Sequence, residues 1–298
     1  MYKYFKPEVI SKIKRLELIA KLIVEGFLTG LHKSPYYGFN VEFAEHRPYN
    51  QGDEIKYLDW KIFGKTDRFY IKQFEAETNL KSYILLDKSA SMNYSGKNSS
   101  NITKLDYASY IASTLSYLML KQSDSVGLVT FDNKIRDMIQ PRNSIHNLQH
   151  ILHSLEKITP GRNTDITPIL HILAEKLKRR GLIILISDLW DDPDKIMSGI
   201  KHLRHAKHEV IVFHILDYDE IYLPFKGPMT FIDLETGLQL KTVTENIRET
   251  YKKSVKDWEM RLLKELGKNQ IDYMMVDTTT SFDRVLLKYL NKRKRLYR

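Results

Sequence analysis

Asp87, Ser89 and Ser91 form a D-x-S-x-S pattern that directly follows the apolar run 82–86. Such a run predicts a buried strand, so the pattern begins where a strand passes into a loop. Because alternate residues of a loop can point to the same side, one carboxylate and two hydroxyl groups can converge there. Mg²⁺ prefers hard oxygen ligands of this kind. The pattern therefore predicts a cation site at the end of a strand.

Short strand patterns alternate with helical patterns from residue 82 onward. This alternation predicts an α/β fold with a doubly wound, mostly parallel sheet. The predicted strands are 82–86, 125–131, 134–140, 182–187, 209–216 and 271–276, and the predicted helices are roughly 103–122, 145–157, 166–179, 193–205, 245–268 and 282–293. Turn residues at 233–237 predict a hairpin insertion within 221–242.

The first 80 residues have a different pattern. Apolar residues recur at helical spacing between Ile10 and Phe27, and they predict an amphipathic helix. Aromatic-rich, partly alternating runs between residues 37 and 80 predict a small β module. We therefore expect an N-terminal helix and β module over 1–80 and an α/β domain over 81–298.

Two further polar groups are expected at the carboxyl ends of the predicted strands, where open α/β sheets bind their ligands. Asp188 directly follows the strand 182–187, and Thr164 lies in the loop 160–165 before the next helix. We expect both residues to reach the same point as the D-x-S-x-S loop.

These residues together resemble the metal-ion-dependent adhesion site of von Willebrand factor A domains. Asp87, Ser89 and Ser91 match its D-x-S-x-S part, Thr164 its distant Thr and Asp188 its more distant Asp. The resemblance implies a von Willebrand factor A-like domain that binds Mg²⁺, with Mn²⁺ or Ca²⁺ as alternatives. It implies that both serines coordinate the metal, that Thr164 does so directly or through water, and that both aspartates act directly or through water.

The block 42–49, followed by Gly52-Asp53-Glu54 and Asp59-Trp60, resembles the region ahead of the A domain in family fifty-eight of the domains of unknown function. Similar proteins are typically encoded beside MoxR-type AAA+ ATPases. The resemblance therefore implies an adaptor or co-chaperone that links such an ATPase to its client, and not an enzyme.

A protein partner is expected because five protein ligands at most, some of them indirect, leave one of about six positions of Mg²⁺ open. An acidic side chain of the partner would complete the shell. Lys88 adds positive charge beside the site, and Asp165, Asp191 and Asp192 are further candidates for partner binding. Asp191 and Asp192 can also be interpreted as a cap on the next helix.

Other interpretations stay open. The constellation can be a vestigial polar network without metal. Asp87 with Asp188 and Asp192 also fits a haloacid-dehalogenase-like phosphohydrolase, although Ser89 stands where that chemistry needs a general acid. The basic run 292–298 could contact nucleic acid or a membrane surface, but a solvated helix end is the favoured interpretation.

The composition sets the remaining limits. The chain has 298 residues, is 42% hydrophobic and carries a net charge of +10, so it can bury a full core. It contains no cysteine, which excludes disulfide and thiolate chemistry and fits a reducing compartment. No apolar stretch approaches the roughly 20 residues of a membrane helix. We therefore expect a cytoplasmic protein.

Overall fold

A computed structural model describes residues 41–50, 58–76, 81–99, 102–121, 123–161, 165–280 and 284–285. These residues fall into two compact units, one within 25–79 and one that contains the described residues from 81 onward. The predicted helix between Ile10 and Phe27, the residue Thr164 and the basic run 292–298 lie outside the described residues.

The smaller unit contains two antiparallel strands, β1 (Val41–Pro48) and β2 (Tyr70–Ala76), and the helix α1 (Trp60–Thr66). The strands agree with the predicted β module, but the helix was not predicted. It forms because the Asp59 carboxylate accepts a hydrogen bond from the Lys61 N–H at 2.9 Å, as an N-cap does. The aromatic residues around Asp59 resemble a strand pattern, so the capping signal of Asp59 was not recognised in the sequence.

The larger unit is built on a sheet of six strands. They are β3 (Lys81–Asp87), β4 (Ser125–Phe131), β5 (Ile135–Arg142), β6 (Leu182–Ser187), β7 (Glu209–Leu216) and β10 (Asp272–Asp277). Their order is β10-β7-β6-β3-β4-β5, and all neighbours are parallel except β5, which pairs with β4 in the antiparallel direction. The mostly parallel sheet predicted from the sequence is confirmed.

Helices cover both faces of this sheet. They are α2 (Lys104–Lys121), α3 (Ile145–Glu156), α4 (Ile166–Lys176), α5 (Pro193–His205), α6 (Tyr218–Tyr222) and α7 (Thr244–Lys268). Helices α2 and α3 share one buried cluster with strand residues such as Ile84 and Ile184, while α4, α5 and α7 share another with residues such as Leu85 and Leu185. Because successive strand residues point to opposite faces, the fold is doubly wound as expected.

The predicted insertion forms a hairpin of β8 (Pro228–Ile232) and β9 (Gln239–Val243), with Gly237 at a positive φ of 74° in the turn. The short helix α6 before it was not predicted. Among the described residues, no helix has the length and apolar character needed to cross a membrane.

Candidate metal site

The D-x-S-x-S loop is shaped by the Asp87 carboxylate at the end of β3. Its Oδ1 accepts a hydrogen bond from the Ser89 N–H at 2.9 Å, which forms a tight turn directly after the strand. Its Oδ2 accepts one from the Ser187 hydroxyl, at the end of the neighbouring β6, at 2.6 Å. The carboxylate thus joins two strand ends and holds the loop in one conformation.

The two serine hydroxyls of this loop point to the same place. The Oγ atoms of Ser89 and Ser91 are hydrogen-bonded to each other at 3.0 Å, with Ser89 buried and Ser91 half-buried. Two oxygens that occupy adjacent corners of a Mg²⁺ octahedron, with bonds of 2.0–2.1 Å, are separated by about 3 Å. The spacing and the chemistry of this oxygen pair therefore fit a small divalent cation.

Asp188 comes to the same edge of the sheet, but it is held by a lysine that the sequence analysis did not consider. The Lys104 Nζ donates to Asp188 Oδ2 at 2.7 Å and to Glu220 Oε1 at 2.6 Å. Lys104 is fully buried, as is Asp188 apart from 2% of its surface. The result is an internal ion triad, Asp188–Lys104–Glu220, whose Asp188 also acts electrostatically on Asp87 of the D-x-S-x-S loop.

The charges of the site shift the pKa values of its groups. Burial, followed by the charge of Asp188, raises the pKa of Asp87 to about 7. Burial also raises the pKa of Glu220, and the charge of Lys104 offsets part of this effect. Burial would lower the pKa of Lys104, but the charges of Asp188 and Glu220 outweigh it and raise that pKa above its ordinary value. Burial therefore disfavours the ionised carboxylates of Asp87 and Glu220, and the Lys104 ammonium favours that of Glu220.

The backbone of Asp188 is fixed by a buried histidine. Because a carbonyl oxygen only accepts, the His214 Nε2–H donates to the Asp188 carbonyl, at 2.8 Å. The other ring nitrogen, Nδ1, then accepts from the Tyr273 hydroxyl at 2.7 Å. Burial lowers the pKa of His214 to about 4, so the ring stays neutral at physiological pH. His214 thus positions the loop after β6 without adding charge.

A second acidic pair lies at the end of β7. Asp217 accepts hydrogen bonds from the Gly96 N–H at 3.2 Å and the Thr278 hydroxyl at 2.9 Å, while Asp219 accepts from the Lys97 N–H at 3.1 Å. Both carboxylates are buried. They anchor the segment after the D-x-S-x-S loop to the sheet, so their role here is structural.

The other predicted site residues are distributed around this edge. The Gly161 N–H donates to the Lys88 carbonyl at 2.5 Å, which brings the start of the loop that contains Thr164 against the site. Asp165 is exposed and makes no side-chain capping bond. Asp192 caps α5 by accepting from the Asp194 N–H at 2.8 Å, as the capping interpretation predicts.

Within the described ranges, no group of three or more histidine, aspartate or glutamate side chains is arranged as a metal site. Metal binding at this edge would therefore depend on the hydroxyls of Ser89 and Ser91 as well as on carboxylates.

The sequence analysis missed Lys104, Glu220 and the exposed Trp190, whose indole N–H donates to Glu220 Oε1 at 3.3 Å. Only Glu220 carried a detectable signal, because Asp217 and Glu220 form a D-x-x-E capping box at the start of α6. Lys104 looks like any charged residue of an amphipathic helix, and nothing in its sequence context marks it as buried.

Several known proteins are similar to this chain. An uncharacterized protein of Mycobacterium tuberculosis is 24% identical over 235 residues, which are 78% of this chain and 73% of that protein. Among solved structures, BatB from Bacteroides thetaiotaomicron is similar at 17% identity and a TM-score of 0.48, over 72% of this chain and 99% of that one. The SpRpn10 VWA domain is similar at 11% identity and a TM-score of 0.41, over 70% and 94% respectively.

The family described as "protein of unknown function DUF58" matches residues 45–261. This range includes the D-x-S-x-S loop, the loop with Thr164 and the end of β6. Since it covers well over half of the 298 residues, the chain belongs to the DUF58 family.

Proposed function

We propose that this protein is a metal-dependent protein-binding module without catalytic activity. Ser89 and Ser91 would hold a Mg²⁺ ion, with Asp87 and Asp188 acting directly or through water and Thr164 as a further ligand. When bound, the metal supplies positive charge and an open coordination position. The proposed ligand for that position is a carboxylate of a protein partner.

The observation that carries the proposal is the pair of hydroxyls of Ser89 and Ser91, 3.0 Å apart, in the loop that starts at the buried Asp87, on which the buried Asp188 acts electrostatically. The two carboxylates only balance the charge of the ion and the hydroxyls are neutral, so an open coordination position can accept a carboxylate of an acidic partner. In the ion triad the ammonium charge offsets that of Glu220, so Glu220 adds no net negative charge to the site. Mn²⁺ and Ca²⁺ are alternative ions for the same oxygen ligands.

A phosphohydrolase is a weaker candidate for this site. Both oxygens of Asp87 already accept hydrogen bonds that fix the loop, and Asp192 serves as a helix cap. The residue two positions after Asp87 is Ser89, which cannot act as a carboxylic acid toward a leaving oxygen. These contacts support a role in binding and give no support to nucleophilic attack by Asp87.

The resemblance to proteins encoded beside MoxR-type AAA+ ATPases adds a proposed partner. In that case the module would link the ATPase to a client, as an adaptor or co-chaperone. Lys88, Asp165, Asp191 and Asp192 are the residues that we propose for contacts with the partner.

A binding experiment with two serine variants tests the proposal. Tagged wild-type protein, Ser91→Ala and the control Ser198→Ala, whose hydroxyl lies on an exposed turn of α5, are used to isolate partners in Mg²⁺ or in EDTA. We expect a partner that is retained by the wild type and the control in Mg²⁺ only, and that is lost from Ser91→Ala. Retention that is equal in EDTA and Mg²⁺ would contradict the metal dependence.

A further inference from the structure

Lys104 is the most unusual residue of the site, because lysine is almost never fully buried unless it is paired. It is the first residue of α2, its side chain is completely buried, and its ammonium group contacts the carboxylates of Asp188 and Glu220. The cost of burying three charged groups is offset only when the pairing is close and geometrically good. The short distances within the triad therefore indicate that the fold holds these three charged groups in a specific arrangement.

Glu220 is held in place independently of Lys104. Its Oε2 accepts a hydrogen bond from the Asp217 N–H at 2.8 Å, and its Oε1 also accepts from the Trp190 indole at 3.3 Å. The carboxylate is thus aimed at the ammonium by α6 and by the loop after β6. Removing Lys104 would leave it facing Asp188 without compensation.

The ammonium group also competes for the carboxylate that the proposed metal site uses. Asp188 Oδ2 already accepts a hydrogen bond from Lys104 at 2.7 Å, so a metal at this edge shares Asp188 with a fixed positive charge. Like charges at such short range weaken each other's binding in a buried site. The same charge also affects what a bound metal can attract.

A charge count shows this second effect. The carboxylates of Asp87, Asp188 and Glu220, one ammonium group and a divalent cation balance to zero. Without Lys104 the same groups would carry a net negative charge, which repels an acidic side chain. With Lys104 in place, the open position of the metal is free to accept a carboxylate.

We propose that Lys104 is a built-in cation of this site that lowers its affinity for divalent metals and so keeps it receptive to an acidic partner. The inference rests on the proposed metal-binding function. It makes Lys104 a positioning and charge-setting residue, since its ammonium acts through Asp188.

The test compares variants of the two residues of the Lys104–Glu220 ion pair. Full-length wild type, Lys104→Met, Glu220→Gln and the control Lys268→Met, an exposed lysine paired with Glu265, are titrated with Mn²⁺ by calorimetry. Lys104→Met removes a positive charge, so we expect about tenfold tighter binding or more. Glu220→Gln removes a negative charge and leaves the ammonium to Asp188 alone, so we expect weaker binding. The control should match the wild type.

Opposite shifts distinguish the inference from a purely structural triad. If the triad only holds the site together, both substitutions should weaken Mn²⁺ binding, and that result, or no change in Lys104→Met, would overturn the inference. If Lys104→Met does not fold, the double variant Lys104→Met/Glu220→Gln replaces it. This double variant is compared with Glu220→Gln, from which it differs only by the missing ammonium group. Tighter binding than by Glu220→Gln supports the inference, and equal or weaker binding overturns it.

The same titration separates this inference from the proposed function. Binding by Lys104→Met but not by the wild type would support the role of Lys104 and contradict metal dependence in the native protein. Binding by the wild type that Lys104→Met does not improve would leave the proposed function standing and remove the inference. Absence of Mn²⁺ binding in every variant would overturn both.

Discussion

Replacement of Asp87 by Asn tests whether burial and the nearby charge of Asp188 make an ionised Asp87 costly when no metal is bound. The pKa of Asp87 is raised by burial and by the charge of Asp188, from 3.8 to about 7. Each pKa unit corresponds to about 1.36 kcal/mol. Above pH 7 without metal, ionised Asp87 therefore lowers the free energy of unfolding by an amount on the order of 4 kcal/mol.

Asparagine keeps the shape of the side chain and removes this cost. Its amide nitrogen must face either the Ser89 N–H, which can only donate, or the Ser187 hydroxyl, which would have to turn and accept in addition to its bond from the Leu189 N–H. One mismatched buried contact costs about 1–3 kcal/mol. We therefore expect Asp87→Asn to exceed the wild type in stability by about 1–3 kcal/mol near pH 8 in EDTA.

The pH dependence follows from the sign of the shift. Since the pKa of Asp87 is higher in the folded than in the unfolded state, the folded protein binds an additional proton between about pH 7 and pH 4. The wild type gains stability as the pH falls through this window, and the advantage of the variant disappears by about pH 4. Excess Mg²⁺ should stabilise the wild type and leave the variant unchanged.

Urea unfolding followed by circular dichroism measures these differences at several pH values, with and without Mg²⁺. The control is Asp192→Asn, which keeps a side-chain oxygen at an exposed helix cap. A variant that is less stable than the wild type near pH 8 in EDTA would refute the reasoning, and so would a stability difference that does not change with pH.

Two further predictions concern the packing around the site and the sheet. Gly96→Ala would place a Cβ against the carboxylates of Asp217 and Asp219, so we expect its free energy of unfolding, measured by thermal unfolding, to fall by about 1–3 kcal/mol. The control is Gly267→Ala, whose added Cβ meets nothing within 4 Å. Equal stabilities of Gly96→Ala and the wild type would contradict this packing. Burial lowers the pKa of His208 below 6.5, so the histidine is protonated at a higher pH in the unfolded chain than in the folded protein. The wild type should therefore lose stability relative to His208→Gln as the pH falls below about 6.5. A stability difference in urea unfolding that is independent of pH would contradict the burial of a neutral ring.

The strands of the sheet could be predicted closely because both faces of the sheet are covered. The runs that form β4, β6 and β7 are mostly apolar and are buried along almost their whole length, and their predicted limits agree with the observed ones. The short helix α6 escaped prediction because its five residues are too few to show helical periodicity. Its D-x-x-E capping box was the only usable signal.

The candidate site could be predicted only in part. The spacing of Asp87, Ser89 and Ser91 is local, so the converging hydroxyls follow from a single turn of chain. The triad depends on contacts over 84 and 116 positions, between Lys104 and its partners Asp188 and Glu220. Tertiary packing alone creates such contacts, and no periodicity in the sequence reveals them.

Calorimetric titration of Mg²⁺ and Mn²⁺ into the wild-type protein, Ser91→Ala and the control Ser198→Ala tests the central claim most directly. The account predicts saturable binding by the wild type and the control, and binding that is at least about tenfold weaker in Ser91→Ala, because one of the two converging hydroxyls is lost. Absence of binding by the wild type, or equal binding by all three proteins, would contradict a metal site at the Ser89–Ser91 pair.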